Sequence, residues 1–453
     1  MKKMVKRLKK GLSKNSNDKH IWVGLGTSKN KDSYEAAIEA AKHALSECKT
    51  SQPTFSFVFV DSRYDANKVL KGINKVLGKS NWVGCSTDRQ LNNKIVYTDD
   101  PVITVVCIKT EYMHFGLGAV ENYRKDTFKK GVKAVKEAIS KIKVDQYISP
   151  YIQFRRAQLK DYSDIVKTPP YFILAFMSGT FFDSKKQVVM GKETEFIEGL
   201  LSVTGANIPV FGSVSNSDFG KFMKEAIAKN WQYANGKLLK DGGIVVFVVS
   251  SLYFSHALEH GYRETDVVAM ITKMDPSGHI VQEINGKPSV DEYCRLVGIN
   301  KVDFLKDPYK YTLTKSLAVI DSGGQNYIKA MGTTPDGKYL FSQAKLPPKV
   351  AVTLVNYDKA QVIGAAVEAI NNANKAIDKK NIAFIWISSC SARRAMLGAD
   401  TKEEAKAILK NFKNIPFFGF YTFGEIGSNK ARTCQLNEQT ITLLTVYDRL
   451  LTQ

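Results

Sequence analysis

Short apolar runs separated by Ala-rich amphipathic stretches organise the chain. Runs at 57–60, 173–176 and 384–387 each stop at a serine within two residues, at Ser62, Ser178 and Ser388. Their length and continuous apolarity suit strands buried on both faces. Upstream of each lies a stretch with helical spacing and small side chains, at 34–41, 132–139 and 363–370. Alanine is the best helix former, and its small side chain lets a helix lie close on a sheet. Before these come further strands at 21–26, 114–118 and 350–355, and after them others at 103–108, 244–249 and 440–446. Between Ser388 and the next strand the spacing predicts a helix from Thr401 to Phe412. Its apolar face is Ala405, Ile408, Leu409 and Phe412, and Thr401 and Glu404 have capping-box spacing.

A second pattern fixes the repeat. Gly84, Gly212 and Gly419 each follow a short apolar run. Each is followed three residues later by a hydroxyl (Thr87, Ser215, Thr422) and three beyond that by an acid or amide (Gln90, Asp218, Glu425). Self-similarity of this kind marks one supersecondary unit used repeatedly. The expected fold is α/β. Three strand-helix-strand-helix-strand-strand units, at 21–110, 114–250 and 350–448, form mainly parallel mixed sheets whose last strand turns back antiparallel. Residues 261–348 differ. Period-2 strands broken by Pro276-Ser277-Gly278, Asn285-Gly286, Ser322-Gly323-Gly324 and Pro335-Asp336-Gly337 surround a helix near 290–297. These features predict an inserted antiparallel α+β module.

Charge and composition narrow the function classes. The net charge is +21, and residues 1–20 carry eight Lys/Arg against one Asp. That segment reads as a basic tail, either solvated or in weak, salt-sensitive contact with anionic membranes. No motif for specific nucleic-acid recognition accompanies the charge. A Tyr- and Lys/Arg-rich insertion is expected at 147–170. No run approaches the ~20 apolar residues of a membrane span. Six scattered Cys with no C-x-x-C pair read as reduced thiols of a cytoplasmic protein. His256 and His260, four apart, would share a helix face but lack a third ligand, so no metal is expected. The Gly-Leu-Gly triplets at 24–26 and 116–118 lack the third glycine of a dinucleotide fingerprint. They read as packing devices, and no cofactor is expected.

Gly-Cys-Ser-Thr at 84–87, Ser389-Cys390 with Ala392-Arg393, and Gly-Phe-Tyr-Thr-Phe-Gly-Glu-Ile at 419–426 resemble the FIST family. The resemblance covers nearly all of 21–450. The chain departs from the family pattern at Asp88, Arg89 and Gln90, where a small residue, Gly and Glu are usual. After the basic tail (1–20), the resemblance implies a FIST N-like domain (21–258) and a FIST C-like domain (259–453). It also implies small-molecule sensing in signal transduction, with amino acids among the ligands. Because the chain shows no kinase, cyclase or helix-turn-helix pattern, the signalling output falls to a separate partner.

Ligands of open α/β sheets bind beyond the carboxyl ends of strands. The expected ligand-binding set is Arg393, Glu425, Cys390, Ser391 and Thr422, with Ser86, Thr87, Ser215 and Asp218 from the other units. Arg393 would fork onto a carboxylate and Glu425 would take an ammonium, clamping an amino acid; the rival is an Arg393–Glu425 structural ion pair. The hydroxyls could equally bond local backbone. Two further readings stay open. One is a cysteine-dependent enzyme using Cys390 or Cys85, with Arg393 activating Cys390. The other is a scaffold with no ligand.

Overall fold

A computed structural model describes residues 19–451, apart from 144–168, 183–187, 190, 216, 226–227, 321–323, 325, 376–378 and 429–433. The basic tail and most of the 147–170 insertion therefore lie outside the described residues.

Three mixed sheets share one topology. In the first unit the strands are Ile21–Ser28, Phe55–Asp61, Trp82–Thr87 and Ile103–Thr110. The fourth strand runs antiparallel between the first and second, while the second and third pair in parallel. The second unit repeats this with Met113–Val120, Tyr171–Ser178, Val210–Ser215 and Gly243–Ser250. The third uses Leu252–Glu259, Ile382–Cys390, Phe417–Thr422 and Ile441–Leu450. Gly84, Gly212 and Gly419 occupy one position, each paired to the second strand, at Val58, Ala175 and Ile387. A Cβ there would fall 2.4, 1.8 and 2.2 Å from those residues' carbonyl oxygens, so the close ladder demands glycine.

One expected strand is corrected. Val350–Tyr357 does not open the third unit; it pairs with Tyr262–Met274 and Lys315–Ile320 in an eight-stranded antiparallel sheet. The opening strand is Leu252–Glu259, which follows the second unit's last strand directly. Its Ser255 and Ala257 stand where the other units have the glycines of Gly-Leu-Gly, so the small-residue signal was present in weaker form. The antiparallel module is thus inserted between this strand and its helix, Lys359–Ala373. His256 also lies in this strand rather than on a helix, its ring centroid 5.0 Å from that of Phe211.

Each sheet is finished by a hairpin from another unit. The first unit's hairpin (Gln90–Asn92, Val96–Tyr97) extends the third sheet. The third unit's (Glu425–Ser428, Cys434–Asn437) extends the second. The second unit's (Gln232–Ala234, Lys237–Leu239) extends the first. The exchange closes a ring of three sheets around one interior. Side chains alternate along a strand, so every second residue faces inward. Phe57, Phe59, Leu174, Phe176, Phe384, Trp386, Phe418 and Phe420 all join this inner core. Outward faces pack on the helices: Ser33–Glu47 and Ala66–Leu77, Thr127–Ser140 and Glu193–Thr204, Lys359–Ala373 and Thr401–Phe412. Asp32, Asp65 and Asp358 start three of these helices by accepting bonds from first-turn amides.

Trp386 is the hub of the interior, with ring centroids 5.1 Å from Phe57, 5.8 Å from Phe59 and 5.3 Å from Phe176. Trp386→Ala is expected to lower unfolding free energy by about 3–5 kcal/mol, read from urea denaturation. A loss below about 1 kcal/mol would mean the units do not share a core.

Candidate functional site

At the carboxyl ends of the strands the interior turns polar. The ladders Asp61–Thr87, Ser178–Ser215 and Cys390–Thr422 are equivalent, and they continue the inward faces that lower down carry Phe59, Phe176 and Trp386. The exchanged hairpins add Gln90, Gln232 and Glu425, paired to the inward residues Phe420, Cys85 and Ser213. Three buried triplets result: Asp61, Thr87 and Gln90; Ser178, Ser215 and Gln232; Cys390, Thr422 and Glu425. Gln90 Nε2 donates to Thr87 Oγ1 (3.1 Å) and to the Val102 carbonyl (3.1 Å). Gln232 accepts from Ser178 Oγ (2.8 Å) and donates to Ser215 Oγ. Glu425 Oε2 accepts from Thr440 Oγ1 (2.8 Å) and the Thr440 amide (3.2 Å). Among the described residues, Gln90 Oε1 and Glu425 Oε1 accept no hydrogen bond. One layer deeper, Ser213 and Ser388 hydroxyls meet at 2.6 Å across two units.

Electrostatics follows burial. Desolvation pushes the Glu425 carboxyl well above the usual range, against the two bonds from Thr440, and so favours the neutral acid. Burial, with Glu425 adjacent, likewise pushes the Cys390 thiol well above its ordinary value. Cys85 is raised by burial alone. Neither thiol is held as thiolate, the form a nucleophile needs.

An ionic cluster borders this polar layer and joins all three units. Arg89 reaches Asp88 (3.1 Å) and Asp218 (3.4 Å), and Arg63 pairs with Asp61 (2.7 Å). Arg394 pairs with Asp88 at 2.8 Å. Burial raises Asp88 to about 6, with Arg394 and Arg89 pulling the other way. Asp88 and Arg89 are where the chain departs from the family pattern, and they build this cluster.

Other expected residues fall elsewhere. Arg393 and Glu425 form neither a clamp nor a pair. Arg393 is fully buried on the helix side of the third sheet. It is ion-paired with Glu404, and it donates to the carbonyls of His260 (2.8 Å) and Val362 (2.8 Å) and to Ser389 Oγ (3.2 Å). Glu404 also accepts from Tyr421 Oη (2.8 Å). It therefore closes no capping box; Thr401 turns to the Gly398 carbonyl (2.7 Å) instead. Asp218 does not match Gln90 and Glu425. The helix Phe219–Glu225 intervenes, and Gln232 takes that place. The signal for Gln232 was an amide or acid leading a large apolar residue, as in Gln90-Leu91, Gln232-Tyr233 and Glu425-Ile426. Thr422 bonds the Val214 carbonyl, and Ser86 accepts from the Trp231 amide (3.1 Å). Ser391 is the buried first residue of the helix Ser391–Leu397. Gly24 and Gly26 press on the Ala44 and Ala40 carbonyls, which suits packing and not a pyrophosphate.

Residues 54–287 match the FIST N domain and 289–428 match the FIST C domain. The chain belongs to the FIST family. FIST domains are sensor domains of signal transduction, associated with small ligands. An uncharacterized protein of Methanocaldococcus jannaschii is 24% identical over 389 residues, covering 81% of this chain and 65% of that protein. The FIST chain described here thus spans less than two thirds of that relative's length. A cyanuric acid hydrolase from A. caulinodans aligns over 51% of this chain and 71% of its own at 10% identity, with a TM-score of 0.26. A second cyanuric acid hydrolase structure, described as an innovation by structural concatenation, covers 94% of this chain and 100% of its own at 8% identity, with a TM-score of 0.31.

Two expectations follow. Glu404→Ala strands the Arg393 charge and should cost about 3–5 kcal/mol in urea denaturation, far more than the neutral swap Glu425→Gln. The second concerns pH. Burial raises Glu438 and Glu193 to about 7. Between the ordinary carboxylate range and about 7 the folded state then holds more protons than the unfolded state, so their contribution to stability falls as pH rises through that window. Glu438→Gln should therefore shrink the decline in melting temperature from pH 5 to pH 8; an unchanged decline would refute the assignment.

Proposed function

We propose that this FIST protein senses a small polar ligand, an amino acid, at the polar pole of its interior, without catalysis. The single observation that carries the reading is a pair of orphan acceptors, Gln90 Oε1 and Glu425 Oε1, buried in a layer bordered by partly exposed guanidinium groups. An ammonium group supplies the donor that Gln90 Oε1 lacks, and its positive charge would favour the ionised form of Glu425, whose Oε1 would then accept as a carboxylate oxygen. A ligand carboxylate matches the planar fork of Arg89. Asp218 is the occupant it would displace. Asp218 also accepts from the Lys221 amide (3.1 Å), at the start of the helix Phe219–Glu225. Exchange of one carboxylate for another at Arg89 would free this surface helix, giving ligand occupancy a route to a separate output protein. Sensing of this kind needs only that ligand favour one of two arrangements. The raised thiols of Cys390 and Cys85 support binding over cysteine chemistry.

A thermal-shift and calorimetric screen of the common amino acids tests the reading. At least one should raise the melting temperature of the wild type. Arg89→Ala should abolish that shift, and Asp218→Asn, which removes the competing carboxylate, should tighten binding. No shift with any amino acid, or a shift indifferent to Arg89→Ala, would sink it.

A further inference from the structure

We propose that the cavity where the inserted module meets the third unit binds an organic diammonium or polyammonium cation. The cavity, of about 450 Å³, is distinct from the axial pole and within the size range of small-ligand sites. Its floor is the link Glu259-His260-Gly261-Tyr262, where the chain leaves the third unit for the module. The helix Lys359–Ala373 lines it through Gly364 and Glu368, and the module lines it through Glu264 and Asn326.

Charge is the first argument. In a chain of net charge +21, three carboxylates line this space and no Lys or Arg does among the described residues. Nearby cations are already neutralised. Arg393, behind the floor, pairs with Glu404, and Arg263 pairs with Asp358 at 2.6 Å. Burial holds His260 down to about 4, so it adds no charge at neutral pH.

Two further observations point to a ligand. Asn326 is only 7% exposed. Its amide Nδ2 donates to Glu264 (2.5 Å), while its Oδ1 accepts nothing among the described residues. A buried acceptor without a donor is costly unless something supplies one. Gly364 sits inside a helix, where glycine is unfavourable relative to alanine. A Cβ built on it would meet nothing within 4 Å. The glycine therefore serves no packing contact of its own helix and leaves room in the cavity.

The chemical class follows from the spread of the acids. Among the described residues no three His, Cys, Asp or Glu converge closely enough to hold a metal ion. Carboxylates spread over three elements, Glu259, Glu264 and Glu368, suit a cation whose charges are separated by an aliphatic chain. Ammonium donors at its ends would meet Glu264, beside Asn326, on the module side and Glu368 on the helix, next to Glu259, which already accepts from Asn372 Nδ2 (2.8 Å).

Calorimetry of the full chain with 1,4-diaminobutane and with spermidine, at a fixed ionic strength of about 0.15 M, tests this. Saturable binding of one molecule per chain is expected, with none for butane-1,4-diol. Glu264→Gln and Glu368→Gln should each weaken it by about tenfold, the loss of one charged contact. Glu283→Gln, a half-buried carboxylate elsewhere in the module that pairs with Lys273, should leave it unchanged. Gly364→Leu fills the space without touching charge, favours the helix, and should abolish binding; it decides the matter if Glu264→Gln fails to fold. Unsaturable heats, binding unaffected by Gly364→Leu, or equal affinity for magnesium chloride would each overturn the proposal.

Discussion

The exchange of hairpins is the constraint on which the rest depends. A strand pair at a sheet edge satisfies its backbone only by finding a partner, and here every partner belongs to another unit. No sheet is complete within its own stretch of sequence, so the units are repeats in pattern but not independent domains. The ring also gathers the inward aromatics of three sheets around Trp386, something no single unit could bury.

Above that aromatic layer the same geometry forces polar groups together. Strand ends that converge on one interior bring Asp61, Ser178 and Cys390 into a region with little water, where unpaired groups are expensive. Ser178 is satisfied by Gln232, the hairpin residue of its own unit, and Asp61 by Arg63. The remaining charge collects around Arg63, Arg89 and Arg394, whose partners come from their own and neighbouring units. Cohesion of the ring is thus carried by polar atoms lying next to its aromatic core.

Part of this was legible in the sequence. The repeat could be read because one steric demand, a ladder too tight for any Cβ, imposes glycine at Gly84, Gly212 and Gly419. The module could be read because its turns have their own chemistry. Hairpin exchange could not: a three-residue strand such as Gln90–Asn92 has the same alternation whichever sheet it joins. Gln232 was hidden by a helix inserted before it. Glu404 has helix-start spacing, and only the packed fold shows it turned inward to Arg393. Val350–Tyr357 outcompeted Leu252–Glu259 on hydrophobicity, because the latter contains Ser255 and His256.

The insertion of the module has a consequence for the order of folding. Leu252–Glu259 must wait for Ile441–Leu450, about 190 residues later, before it gains a neighbour. The Gln90–Asn92 hairpin waits still longer for Phe417–Thr422. Long loops of this kind are closed before their contacts are rewarded, which slows folding and leaves bare strand edges exposed meanwhile. During synthesis the second unit's hairpin can finish the first sheet, but the second sheet and the first unit's own hairpin wait for residues beyond 416, so the ring closes only when the last strands emerge.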